Sequence, residues 1–138
     1  MGESPAVKAL LDTHVLVWWL SEDPQLSVSQ RKVLASASEQ SPLLVADISL
    51  WEVATLFNLD RLQLKLPLRV WLEMAVAPPL VRRCSVSPAI AAELAMLPDS
   101  FHRDPADRIL VATARVLGAT LLTQDRRIIE AGLVDTLS

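Results

Sequence analysis

Five carboxylic acids stand out by their position relative to the apolar runs of this chain: Asp12, Glu52, Asp104, Asp107 and Asp125. Asp12 closes the run Ala9-Leu10-Leu11, and Asp125 comes soon after Leu121-Leu122-Thr123. Glu52 follows the run 43–46 at a short distance, and Asp104 and Asp107 flank Pro105-Ala106 ahead of the apolar stretch 109–112. Carboxylates brought together repel one another and must take up protons or share a cation. Oxygen ligands without paired His or Cys favour Mg²⁺ or Mn²⁺ over zinc. Such ions in a carboxylate cup suit phosphodiester hydrolysis, because they activate water at neutral pH and neutralise the leaving oxygen.

Each acid also has a plainer role. Asp104, before Pro105, is placed to cap a helix, and Asp107 to complete that cap or complement the helix dipole. Ser49-Leu50-Trp51-Glu52 has the spacing of a capping box. Asp125 suits a turn, and Asp12 has no structural purpose beyond capping the helix after it. Any one of these features is weak; their joint order along the chain is the stronger signal.

The elements that must position these acids emerge from the apolar pattern. Strands are expected at 8–12, 43–46, 80–86 and 119–123, with a last edge strand at 133–137. Helices are expected at 13–20, 27–40, 49–59, 67–77, 88–97, 104–117 and 126–131. In the helix 49–59, Leu50, Val53, Ala54 and Phe57 form one stripe, with Leu56 and Leu59 opposite. A helix apolar on two sides wants two neighbours, one of which could be another subunit. Buried strands alternating with helices imply a three-layer α/β/α arrangement around a central, mostly parallel sheet. In such sheets ligands bind beyond the carboxyl ends of the strands, where Asp12 and Asp125 fall.

Composition narrows the alternatives. The 138 residues suit a single domain, 1–138, with residues 1–7 expected to be a flexible N-terminus that lacks the apolar core of a signal peptide. A charged fraction of 21% excludes a highly charged disordered tail protein. A lone cysteine, Cys84, excludes a disulfide framework and a cysteine-based zinc cluster. Three glycines cannot assemble a Gly-rich phosphate loop. No apolar run is long enough to cross a bilayer, so the expected location is the cytoplasm. The net charge of −3 speaks against a nucleic-acid partner until the five acids are assigned to a metal. Eleven acids then face thirteen bases, and Arg61, Arg69, Arg82, Arg83, Arg103, Arg108, Arg126 and Arg127 become candidates for phosphate contact. His102 sits near Asp104, either to reach a phosphate or as an exposed loop residue, and His14 is expected to pack on the first helix. Trp51, beside Glu52, is the tryptophan placed to stack on a base, the others being expected in core and interface.

Taken together, four segments are similar to the acidic motifs of PIN-domain ribonucleases. Leu10-Leu11-Asp12-Thr13-His14 and Ser49-Leu50-Trp51-Glu52-Val53-Ala54 resemble the first two. His102-Arg103-Asp104-Pro105-Ala106-Asp107-Arg108 resembles the third, and Leu121-Leu122-Thr123-Gln124-Asp125-Arg126 the fourth. Order, spacing and length resemble VapC-type toxins of toxin–antitoxin modules most closely. The resemblance implies a PIN fold, Mg²⁺- or Mn²⁺-dependent endoribonuclease activity, a homodimer and a cognate VapB-type antitoxin. It assigns Asp12, Glu52, Asp107 and Asp125 to the metal and catalytic site, with Asp104 as an outer ligand or only a cap. Thr123 matches a position that holds a metal-bound water, and Arg108, Arg126 and His102 are candidates for RNA contact. Where the family often carries Asn, this chain has His14. A non-catalytic PIN-like module that binds RNA or protein is the alternative. A phosphatase or phospho-receiver fits poorly, since the position two beyond Asp12 is His14 rather than a second acid.

Overall fold

Alternation along the strands decides the architecture. The computed structural model describes residues 8–138, so the expected flexible N-terminus lies outside the described residues. The chain begins with β1 (Ala9–Leu11), α1 (Thr13–Leu20), α2 (Val28–Ala35), β2 (Leu43–Ala46), α3 (Asp47–Asn58) and α4 (Leu68–Ala75). It continues with β3 (Val81–Cys84), α5 (Pro88–Met96), α6 (Pro105–Leu117), β4 (Thr120–Leu122), α7 (Arg126–Ala131) and β5 (Thr136–Leu137). Ala9, Leu11, Leu43, Val45 and Leu122 point to one side of the sheet, against Val15 and Leu16 of α1, Leu34 of α2, Val53 of α3 and Trp71 of α4. Leu10, Leu44, Ala46 and Leu121 point to the other, against Ile90 of α5, Leu110 and Val111 of α6 and Ile128 of α7. Two apolar faces on β1, β2 and β4 require cover on both sides, which yields the expected three layers.

The sheet runs β3-β2-β1-β4-β5, and its pairings are parallel throughout. β1 lies at its centre, and chain order reverses direction between β1 and β4. That reversal opens a crevice at the carboxyl ends of these two strands. The register pairs Leu11 with Leu122, so Asp12 and Thr123 leave the sheet side by side.

Three expectations are corrected. The helix expected at 27–40 ends at Ala35, because Ser36 bonds back to the Val33 carbonyl at 2.6 Å and Ser38 and Ser41 close a turn. Serine side chains compete with the helix for backbone partners. α3 begins at Asp47 behind Ala46, so Ser49 lies inside the helix and no capping box forms with Glu52. The stripe expected on α3 is also incomplete: Val53 is buried and Leu50 and Ala54 are half-buried, while Phe57 is 39% exposed. His14 is exposed but packs on α1 as expected, its ring 6.0 Å from that of Trp18.

Leu121 is fully buried in the strand beside β1. Leu121→Ala leaves a cavity beneath α6 and is expected to lower unfolding free energy by about 2–5 kcal/mol in urea titration.

Candidate metal centre

Three helices start where the crevice opens, and each start is capped by one of the acids. Asp12 caps α1, Asp104 caps α6 and Asp125 caps α7. The cap on α1 is long, with the His14 amide 3.4 Å from Asp12 Oδ1. The stronger bond goes to the other oxygen: the Thr123 hydroxyl donates to Asp12 Oδ2 at 2.6 Å. The same hydroxyl accepts from the Asp125 amide at 3.0 Å, so Thr123 ties the ends of β1 and β4 together. Asp12 and Thr123 are both buried.

Asp107 belongs to the first turn of α6 and is buried at 8% exposure. Its backbone amide donates to Asp104 Oδ1 at 3.0 Å, which leaves its carboxylate free of capping duty. That carboxylate turns into the crevice, where Oδ2 lies 3.2 Å from His102 Nε2 and 3.9 Å from Arg127 Nη2. The His102 nitrogen is at contact distance yet buried off the hydrogen-bond line. His102 is thus drawn into the site instead of standing as an exposed loop residue. Glu52 reaches the same region from α3. Thr13, on α1, donates to Ser49 at 3.0 Å and so fixes α3 against α1 beside Glu52.

Mutual repulsion shows in the proton affinities. Burial pushes Asp107 up to about 7, helped by the negative fields of Asp12, Asp104, Asp125 and Glu52. Burial also raises Asp12, against the opposing Thr123 bond, and raises Glu52, with Asp12 and Asp104 adding to the effect. Asp125 moves the other way. Its burial is outweighed by Arg127, which contacts Oδ2 at 3.4 Å and donates its backbone amide to Oδ1 at 2.9 Å. All five acids are therefore within electrostatic reach of one another. As they stand, no three His, Cys, Asp or Glu side chains among the described residues close on a common point at ligating distance. The Arg127 guanidinium, 64% exposed, lies against two of them as a counter-charge. The donor set nevertheless fits a hard cation: it is all oxygen, largely buried, and charged in excess of what Arg127 neutralises.

Two of the arginines considered for RNA are placed differently. Arg108 donates to the carbonyls of Phe101 at 2.9 Å and His102 at 3.3 Å, and so clamps the loop between α5 and α6. Arg126 is exposed and lies 3.7 Å from Glu130. Sequence reasoning did not single out Gln30. It is fully buried, and its amide nitrogen donates to Leu137 O at 2.9 Å and Thr123 O at 3.4 Å. Its oxygen accepts from Gln124 at 2.9 Å, which holds the segment leading to Asp125. The spacing Ser27-x-x-Gln30 is legible as a capping box, and that box forms; the second use of the amide is not local and leaves no pattern.

A family model described as PIN domain matches residues 9–133. Ribonuclease VapC22 of Mycobacterium tuberculosis is 41% identical over 119 residues, spanning 86% of this chain and 88% of that protein. Among solved structures, VapBC2 from Rickettsia felis, bound to a DNA fragment from its promoter, aligns with a TM-score of 0.71 at 14% identity, over 95% of this chain and 98% of that one. A toxin–antitoxin complex from Klebsiella pneumoniae aligns with a TM-score of 0.65 at 20% identity, over 95% and 97%. A parallel sheet of this order with acids at its switch point defines a three-layer α/β protein. More narrowly, the chain belongs to the PIN-domain family.

This geometry has two measurable outcomes. An unfolded Asp titrates near pH 4, whereas Asp107 in the fold titrates at about 7. The folded state therefore binds more protons between those values, and stability falls as pH rises through that window. The Tm of metal-free protein should drop from pH 5 to pH 8, and the drop should shrink in Asp107→Asn. Gln30→Leu removes one of the two partners of both the Leu137 carbonyl and the Gln124 amide, which keep the Thr123 amide and the Gln25 carbonyl; it should cost about 0.5–1.5 kcal/mol in denaturant titration and weaken Mn²⁺ binding measured by calorimetry.

Proposed function

We propose that this chain is a divalent-metal-dependent endoribonuclease and the toxin of a toxin–antitoxin pair. The observation that carries this reading is that Asp12, Glu52 and Asp125 lie near enough to Asp107 for their negative fields to add to its burial and raise it to about 7. The 41% identity to Ribonuclease VapC22 supports a nuclease, and the likeness in fold to toxin–antitoxin complexes supports an antitoxin partner. We assign Mg²⁺ or Mn²⁺ to these four carboxylates. When bound, the ion supplies an activated water and neutralises charge on the phosphodiester.

The chain's own residues set the stage for that chemistry. Thr123 holds Asp12 in one rotamer and presents the Asp125 backbone beside it. Asp104 fixes the first turn of α6 and thereby aims Asp107 into the crevice. Arg127 is placed to exchange its contacts with Asp107 and Asp125 for an RNA phosphate once a cation enters. Arg126, exposed on the same helix end, offers a further phosphate contact. Trp51 and Phe57 of α3 and Leu59 at its C-terminal cap are exposed apolar side chains, which supports a homodimer through that helix. Among the described residues no helix is long and apolar enough to cross a membrane.

Asp12→Asn keeps the Thr123 contact sterically but removes the buried charge. It should fold, bind Mn²⁺ poorly, leave single-stranded RNA uncut and relieve growth arrest on expression. Wild-type cleavage rates in that variant would remove the four-acid site from the mechanism. If wild-type protein binds RNA but never cuts it under Mg²⁺ or Mn²⁺, the reading becomes that of a binding module.

A further inference from the structure

A cavity of about 360 Å³ opens beside the acid cluster, between the loop 98–102 and α7. It shares two residues with the cluster, His102 and Arg127, and both approach the same oxygen of Asp107. Any group that fills this cavity therefore sits next to the phosphodiester to be cut. Its walls are chiefly apolar, formed by Pro98, Phe101, Ala131 and Leu133, with Glu130 and Ser100 adding polar groups.

We propose that this cavity is a nucleobase subsite that takes one unstacked base of single-stranded RNA adjacent to the scissile phosphate. The inference rests on the endoribonuclease reading. Three features favour a base over a second phosphate. A carboxylate in the lining, Glu130, repels an anion and accepts hydrogen bonds from a base edge. The lining is otherwise chiefly apolar, with Pro98, Phe101, Ala131 and Leu133, which suits a ring. The cation of the pair, Arg127, faces the acids, where the backbone phosphate must lie. Bases splayed out of single strands are commonly held on aromatic and apolar surfaces in this way.

The subsite is built before RNA arrives. Arg108 bonds the carbonyls of Phe101 and His102 and lies over the Phe101 ring, its guanidinium carbon 5.8 Å from the centroid. The His102 ring meets Phe101 edge-on at 4.6 Å between centroids. Phe101 is buried, so the loop is pinned from beneath while its rim stays open. Glu130, an acceptor, selects base edges that donate. Adenine, cytosine and guanine offer amino groups; uracil offers a single N–H flanked by two carbonyl oxygens that a carboxylate repels.

Fluorescence anisotropy with short labelled oligoadenylate, oligocytidylate and oligouridylate, in EDTA so that nothing is cut, tests this directly. Wild-type protein should bind oligoadenylate and oligocytidylate more tightly than oligouridylate. Ala131 is exposed at the end of α7, so Ala131→Phe fills the cavity without touching the core. It should weaken oligoadenylate binding about tenfold, the loss of one stacked base, with Mn²⁺ affinity unchanged by calorimetry. Glu130→Gln should level the preference against oligouridylate. Unchanged oligoadenylate affinity in Ala131→Phe, or no base preference in the wild type, overturns the subsite. If wild-type protein cuts RNA with Mn²⁺ and Ala131→Phe binds it normally, the subsite alone falls. If wild-type protein cuts no RNA, the nuclease reading falls and takes the subsite with it.

Discussion

The structure turns on the parallel pairing of β1 with β4. Two adjacent strands leave the sheet at the same end, and each is followed closely by an acid. The Asp12 amide donates to the Leu122 carbonyl at 3.0 Å, which continues the ladder one residue beyond β1. A register slip by one residue would turn the apolar sets of the strand to the wrong layers, so two buried cores enforce the alignment. The energy that brings like charges together is therefore the burial of Leu10, Leu11, Leu121 and Leu122, all fully buried. Apolar packing drives a repulsive arrangement that no local interaction would choose.

The arrangement is tolerated because of where the acids sit on their helices. Asp12, Asp104 and Asp125 are the caps of α1, α6 and α7, so three positive helix ends point at the crevice. The capping role leaves room for the proposed metal role. A cap fixes one carboxylate oxygen and leaves the other free, as Asp12 shows with Oδ1 toward the His14 amide and Oδ2 toward Thr123. Asp107 has no such relief, since its position inside the first turn gives its carboxylate no backbone donor. Burial is the first reason that Asp107 is raised, as it is for the cap Asp12, whereas the less buried Asp125 is lowered by its bonds from Arg127.

Much of this was legible in the chain. The apolar runs marked all five strands, and Asp104-Pro105 with Gly118 marked both ends of α6; Gly118 takes the left-handed conformation at φ 63° that such an ending calls for. The acids were legible from their place after strands and at helix starts. Features that depend on contacts between distant segments escaped. The pattern Ser49-x-x-Glu52 has the spacing of a capping box, but α3 starts earlier and Ser49 is taken by Thr13, a partner from another helix. Gln30 reads as a local cap residue and is also the buried link to β4 and β5. His102 reads as a loop residue until the Arg108 clamp folds its loop over Asp107.

The arginines show the same limit from the side of charge. The chain carries a net charge of −3, so attraction of RNA cannot come from its overall field. At ordinary ionic strength charges separated by more than about 10 Å are screened, which makes local placement decisive. Arg108 has two carbonyls as partners and serves the fold. Arg127 lies against Asp107 and Asp125, where its charge offsets theirs. A cation entering the carboxylates would take over that offset and release Arg127 toward the phosphate that the same cation attracts. Arg127 offsets only part of the charge of the acids, and it stays with them or turns to a phosphate according to what else neutralises them.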